Sequence, residues 1–141
     1  MYEEEIQFLR VVEDPHDITN QRQPLNEQAI ERLRRSFPGI SEEYLAYLRE
    51  IGAGSVKECQ YEIYEPDFDD ATPLFLVGNL LFIGHDFIGN SFALDADSDF
   101  CVVELDHEGG GKGIYPMGSS FRAFIRDQML LGADGKDQRE P

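Results

Sequence analysis

The sequence predicts an α+β fold in one domain, and two observations carry that expectation. Apolar residues recur at helical spacing in the first third of the chain and again near its end. Between them lies a run of short β-rich segments separated by turn residues, the pattern of a mainly antiparallel sheet with helices packed on it. At 141 residues the chain is long enough for a real core, and its 41% apolar content argues against disorder despite a net charge of −16. The expected domain covers residues 1–132, with 133–141 a polar, frayed tail.

Taken in order, residues 1–24 are ambiguous. Ile6, Phe8 and Val11 suit a strand, whereas Ile6, Leu9 and Arg10 suit a short helix; Asp14-Pro15 and the run from Thr19 to Pro24 then read as loop. A helix follows from Asn26, a good cap, with Ala29, Ile30, Leu33 and Phe37 on one side and Pro38-Gly39 as its end. The next helix has Ser41 as cap and Glu42 and Glu43 in its first turn, where carboxylates suit the helix dipole. Tyr44, Leu45, Tyr47, Leu48 and Ile51 form its apolar stripe, and Gly52 closes it. Strand character runs from Val56 to Tyr64 and breaks at Glu65-Pro66-Asp67. Leu74–Val77 and Leu80–Ile83 flank Gly78-Asn79 as a hairpin or a break. Ser91–Ala96 and Phe100–Leu105 flank Asp97-Ser98-Asp99 as a hairpin. A turn at Gly109–Gly111 leads to a strand near Ile114-Tyr115. The last helix opens at Ser119 or Ser120, carries Phe121, Phe124, Ile125 and Met129 on one face, and stops at Gly132.

The charge is uneven. Residues 1–57 hold 11 acids and 7 bases, residues 58–111 hold 13 acids and no base, and residues 112–141 hold 4 acids and 5 bases. The middle segment must borrow cations from its flanks or present a negative field. Such a field excludes nucleic acid and an anionic membrane as partners and favours a basic protein. Exposed carboxylates in its loops are the expected contact residues: Asp67, Asp69, Asp70, Asp86, Asp97 and Asp99. An acidic start where a signal peptide is basic, and two cysteines (Cys59 and Cys101) without metal spacing, fit a cytoplasmic protein with reduced thiols.

Motifs for catalysis or cofactors fail on chemistry. Asp95-Ala96-Asp97-Ser98-Asp99 opens like a calcium loop, but Phe100 stands where the sharp turn needs Gly, and Asp106 where the loop ends in Glu. Gly109-Gly110-Gly111-Lys112-Gly113 lacks the first Gly and the Ser or Thr of a phosphate loop. His85, Asp86, Asp106, His107 and Glu108 would make a His/carboxylate cluster for a small hydrolase or metal enzyme, without any recognised ligand spacing. Ser119-Ser120 is a helix cap, since no nucleophile elbow is present. The expectation is therefore no catalytic residue, no metal and no cofactor.

Four stretches together resemble the SUKH superfamily, which contains the Smi/Knr-type yeast cell-wall assembly regulators and many bacterial immunity proteins. They are Ile51-Gly52-Ala53-Gly54 after a helix; Ile83-Gly84-His85-Asp86 with Gly89-Asn90-Ser91-Phe92-Ala93-Leu94-Asp95; Val102-Val103 running to Asp106-His107-Glu108; and Ser119-Ser120-Phe121 with Phe124-Ile125. The likeness spans about two thirds of the chain and leaves residues 1–40 poorly matched. Each stretch also has a physical expectation: positive φ at Gly84 and Gly89, Phe92 and Leu94 on one sheet face, and the last helix docked on that face. The resemblance implies a non-catalytic binding protein, foremost an intracellular antidote that neutralises a polymorphic or contact-dependent toxin, such as a nuclease or deaminase. A regulatory or scaffold module is the second implication.

Overall fold

The computed structural model describes residues 1–66, 75–77, 79–106, 114–116 and 120–138. Among the described residues, four helices and eight strands form an α+β domain. The helices are α1 (Glu3–Val12), α2 (Glu27–Ser36), α3 (Glu42–Glu50) and α4 (Phe121–Met129). The strands are β1 (Arg22–Gln23), β2 (Ala53–Val56), β3 (Tyr61–Ile63), β4 (Phe75–Val77), β5 (Leu80–His85), β6 (Asn90–Asp95), β7 (Cys101–Asp106) and β8 (Ile114–Pro116). No helix among the described residues is long and apolar enough to cross a membrane.

Every strand pair is antiparallel, in the order β1-β2-β3-β5-β6-β7-β8. One edge of β5 is shared. Its Gly84-His85 half pairs with β3, and its Leu80–Phe82 half pairs with β4. The pairing of Val77 with Leu80 makes β4 and β5 a hairpin. The sheet begins earlier than its expected start at Val56, because β1 and β2 precede that residue. The stretch from Val56 to Tyr64 is also not one strand. It is the end of β2, a four-residue turn, and β3, and the turn holds Lys57, Glu58 and Cys59 at φ +52, +52 and +67. Three consecutive left-handed residues that are not glycine cost of order 1–3 kcal/mol each. Side chains from elsewhere hold them: Glu13 accepts from the Lys57 N–H at 2.8 Å, and Asn20 Oδ1 from the Glu58 N–H at 2.7 Å.

The helix caps follow the sequence. Asn26, Ser41 and Ser120 side chains accept from the backbone N–H of Ala29, Tyr44 and Ala123. Gly52 takes φ +102 just after α3, as its position requires. The last helix differs at its end: it stops at Met129, and Leu130, not Gly132, is the left-handed residue. Ser119 and the glycine turn at 109–111 lie outside the described residues. Gly89 has φ +110 as expected, but Gly84 is not left-handed. It serves close approach instead, at the bulge between Phe82 and Gly84, where a Cβ would stand 2.1 Å from the Glu62 carbonyl oxygen.

One apolar cluster joins the four helices to one sheet face, with Phe92, Leu94 and Val102 of the central strands against Phe121, Phe124 and Ile125 of α4. Tyr44, Leu48, Phe92, Leu94, Val103, Phe121, Phe124 and Ile125 are all buried as expected. Val103 differs from the others in its place: it pairs with Ala93, on the face turned from the helices. Edge-to-face rings run from Tyr2 through Tyr47 and Phe121 to Phe124 and Phe92, with centroids 4.8–5.9 Å apart. Burial pushes the phenols of Tyr44, Tyr47 and Tyr61 up, so they stay neutral at physiological pH. Tyr47 and Tyr61 share a hydrogen bond of 3.0 Å.

The two ends of the chain meet. The ambiguous first segment is a helix, α1, and its inward side carries Glu5 beside Phe8 and Leu9. Glu5 is fully buried and accepts from Arg122 at 2.9 and 3.3 Å and from Arg126 at 2.7 Å, both on α4. The expected frayed tail is corrected as far as Gln138. Leu131 bridges to Asp137, and Asp137 lies 3.0 Å from the buried Lys57 ammonium. That ammonium also donates to the Met129 carbonyl and sits 5.0 Å from the Phe8 ring centre.

Two outcomes test this packing by chemical denaturation. Phe124→Ala should cost about 3–5 kcal/mol, because the ring is 1% exposed and contacts both β6 and α4; a loss below about 1 kcal/mol would mean α4 is not docked as described. Replacing Arg122 and Arg126 together by Met strands the Glu5 carboxylate and should cost about 3–5 kcal/mol. Glu5→Gln should cost less, since the arginines are 33% and 25% exposed and can turn to water.

Candidate functional site

The charge segment keeps its negative field. Among the described residues, Lys and Arg pair with Glu4, Glu5, Glu13, Glu27, Glu31, Glu42 and Asp137, all outside 58–111. Inside that segment the described ion-pair contact is Glu62 with His85, at 3.2 Å. These basic side chains thus serve the helical layer and the chain end.

The three expected contact residues that are described, Asp86, Asp97 and Asp99, do not form one patch. Asp67, Asp69 and Asp70 lie outside the described residues. Asp86 sits in the β5–β6 turn, at the Asn90 end of β6, whereas Asp97 and Asp99 sit in the β6–β7 turn, at its Asp95 end. Six extended residues separate these ends by about 17 Å.

At the Asp95 end the carboxylates build the turn. Asp95 accepts from the Asp97 N–H at 3.0 Å, and the Asn79 amide donates to Asp95 at 3.1 Å and to Asp97 at 2.6 Å. Asp99 is exposed with φ +54. Strands flank this turn on both sides, where a calcium-binding hand has helices. Burial and the Asp95 carboxylate push the neighbouring Cys101 thiol up; Cys101 and Cys59 are both free thiols.

The Asn90 end is different in kind. Asp86 Oδ1 accepts from the Ile88 and Asn90 N–H groups at 2.9 and 3.1 Å, and Oδ2 accepts from the Asn90 amide at 2.7 Å. The turn so fixed holds Phe87 at φ +66 and leaves Phe87 43% and Ile88 79% exposed. His85 accepts from the Phe87 N–H on Nδ1 at 3.2 Å and meets Glu62 through Nε2. Tyr64 and Phe87 both lie tilted against the ring, with centroids 5.6 and 4.3 Å away. Tyr64, His85, Phe87, Gly89, Asn90 and Ser91 line a cleft of about 400 Å³. Glu104 and Asp106 on β7 lie at the same end, since Asp106 pairs with Asn90.

Of the five-residue His/carboxylate cluster, the structure brings His85, Asp86 and Asp106 to this end, while His107 and Glu108 lie outside the described residues. Among the described residues, no three His, Cys, Asp or Glu side chains converge as metal ligands. A larger groove of about 1030 Å³ between α1 and the chain end includes no residue of 58–111 in its lining. Reading by charge and loops missed Glu62, Tyr64, Phe87 and Ile88. A signal was present: Phe87-Ile88 is a large apolar pair inside an Asp-x-x-Gly turn, where no strand or helix face exists to bury it. Comparison with known protein families, with curated proteins and with solved structures returned no match.

Crowding of carboxylates here has a measurable consequence. Burial first, then the Asp86 and Asp106 charges, push the Glu104 carboxyl above its ordinary range. The folded state then binds the Glu104 proton more tightly than the unfolded chain does. Stability attributable to this group therefore falls as pH rises through the interval above the ordinary carboxylate value. Glu104→Gln should raise the unfolding free energy at pH 7, by less than about 1 kcal/mol for so exposed a group. The gain should vanish near pH 4, and thermal melts at the two pH values check it.

Proposed function

We propose that this chain is a non-catalytic protein-binding domain, an intracellular antidote of SUKH type that neutralises a basic bacterial toxin domain by direct contact. The observation that carries this reading is the charge arrangement: residues 58–111 hold 13 acids and no Lys or Arg, and the described Lys and Arg ion pairs tie together residues outside that segment. A nuclease or deaminase toxin has a basic substrate groove. A negative surface speeds encounter with such a groove and competes with the nucleic acid for it. The motif resemblance supports the same class.

The alternative enzyme reading has less behind it. Both His85 ring nitrogens are engaged, one by the Phe87 N–H and one by Glu62, and Asp86 is occupied by its own turn.

Growth rescue tests the reading directly: co-expression with the toxin domain encoded beside this gene should restore growth and yield a stable complex. A toxin that kills unabated and does not bind ends the proposal. The steering contribution is tested with Asp67, Asp69, Asp70, Asp97 and Asp99 replaced by Asn, leaving Asp86 to hold its turn. Association at low ionic strength should slow by about tenfold or more and lose most of its salt dependence, with dissociation little changed. Wild-type association by that variant would place the interface away from these loops.

A further inference from the structure

We propose that the cleft at the β5–β6 end of the sheet receives an arginine side chain from the partner protein, an inference that rests on reading the chain as a binder of a basic protein. Phe87 starts the argument. It is a bulky aromatic in the left-handed region, at φ +66, and it is 43% exposed. Left-handed backbone is costly for such a residue, and burial does not recover that cost here. The turn nevertheless fixes it firmly, through three hydrogen bonds to Asp86 and one to His85. The product is a ring held out at the sheet end beside two further rings.

The chemistry of the cleft selects a planar cation. Tyr64, His85 and Phe87 form a cluster of tilted rings, with interplanar angles of 31° and 60°. Aromatic faces attract cations, and a guanidinium stacks on them while donating in its own plane. The Glu62 carboxylate stands beside these rings, 3.2 Å from His85 Nε2. Exposed Glu65 follows Tyr64 in the chain. No Lys or Arg occurs between positions 58 and 111 to occupy the cleft from within the segment. An apolar partner helix would leave these acids desolvated and unpaired, and a nucleobase would bring phosphate charge against them. Lysine lacks the planar fork that fits rings and carboxylate together. The opposite end of β6 offers acids without rings, which steers but does not grip.

The test titrates the intact protein with three capped peptides of three Gly-Xaa repeats, where Xaa is Arg, Lys or citrulline. Binding is followed by NMR shifts of backbone amides and aromatic carbons. The Arg peptide should bind about two- to fivefold more tightly than the Lys peptide of equal charge, the citrulline peptide should not bind, and the shifts should centre on Tyr64, His85 and Phe87. Phe87→Ala should equalise the Arg and Lys peptides, and Glu62→Gln should weaken both. Equal Arg and Lys affinities, no binding, shifts centred on the Asp95–Asp99 turn, or a preference that survives Phe87→Ala would each overturn the inference. The two readings separate cleanly: a toxin bound equally by wild type and Phe87→Ala sinks the cleft alone, whereas an Arg preference without any toxin partner sinks the antidote alone.

Discussion

Glu5 is a carboxylate without solvent exposure in a helix that would otherwise need only apolar contacts, and the closure of the fold depends on it. A buried charge of this kind is tolerated only when its oxygens are matched, and two arginines from α4 match them. The pairing locks α1 to α4 across 117 positions of sequence. Apolar contacts alone would leave α1 free to rotate or slide along its stripe; three directed bonds admit one rotation. Lys57 repeats the device from the sheet side. Its ammonium reaches the α4 end, the Asp137 carboxylate and the Phe8 ring from a turn whose backbone is left-handed at three successive residues. The strained turn places the cation, and the cation ties the strained turn to both chain ends.

This closure has an electrostatic result. A protein with 28 acids and 12 bases can satisfy only some of its carboxylates. Arg22, Lys57, Arg122 and Arg126 are committed to holding α1, the β2–β3 turn and the chain end together. These ion pairs lie away from the sheet beyond β3. Its negative field follows from how the helical layer is held, as well as from the composition of 58–111.

What could be read in the sequence was local. Asn26, Ser41 and Ser120 announce their helices because a short polar side chain before an apolar stripe has few other uses. The stripe Phe121, Phe124, Ile125 names its own buried face, and Asp97-Ser98-Asp99 names a turn. What could not be read was long-range. Glu5 interrupts the apolar periodicity of α1, so the segment fits helix and strand equally until Arg122 and Arg126 are seen opposite it. Lys57-Glu58-Cys59 contains no glycine, and the hydrogen bonds that hold its left-handed run come from Glu13 and Asn20, far away in sequence. Asp137 looks like part of a polar tail until its buried partner is known. The candidate site divides in the same way. Negative loops are visible in composition, but the distance between Asp86 and the Asp97–Asp99 turn is a property of β6, and the ring cluster needs β3 beside β5.

That separation gives the two ends of β6 different physical work in the proposed complex. Long-range attraction depends on summed charge and tolerates loose geometry, so exposed loop carboxylates suffice for it. Retention depends on a few well-packed, desolvated contacts, and acids surrounded by water supply little of that. A cluster of rings with an adjacent carboxylate supplies both surface and direction. The same acids would be a poor grip by themselves, because each must be dehydrated to bind and is screened while it is not. Rings change that balance by replacing water around the guanidinium with polarisable faces. Charge brings a basic partner to the sheet, and the Tyr64–His85–Phe87 end distinguishes an arginine correctly placed on that partner from positive charge in general.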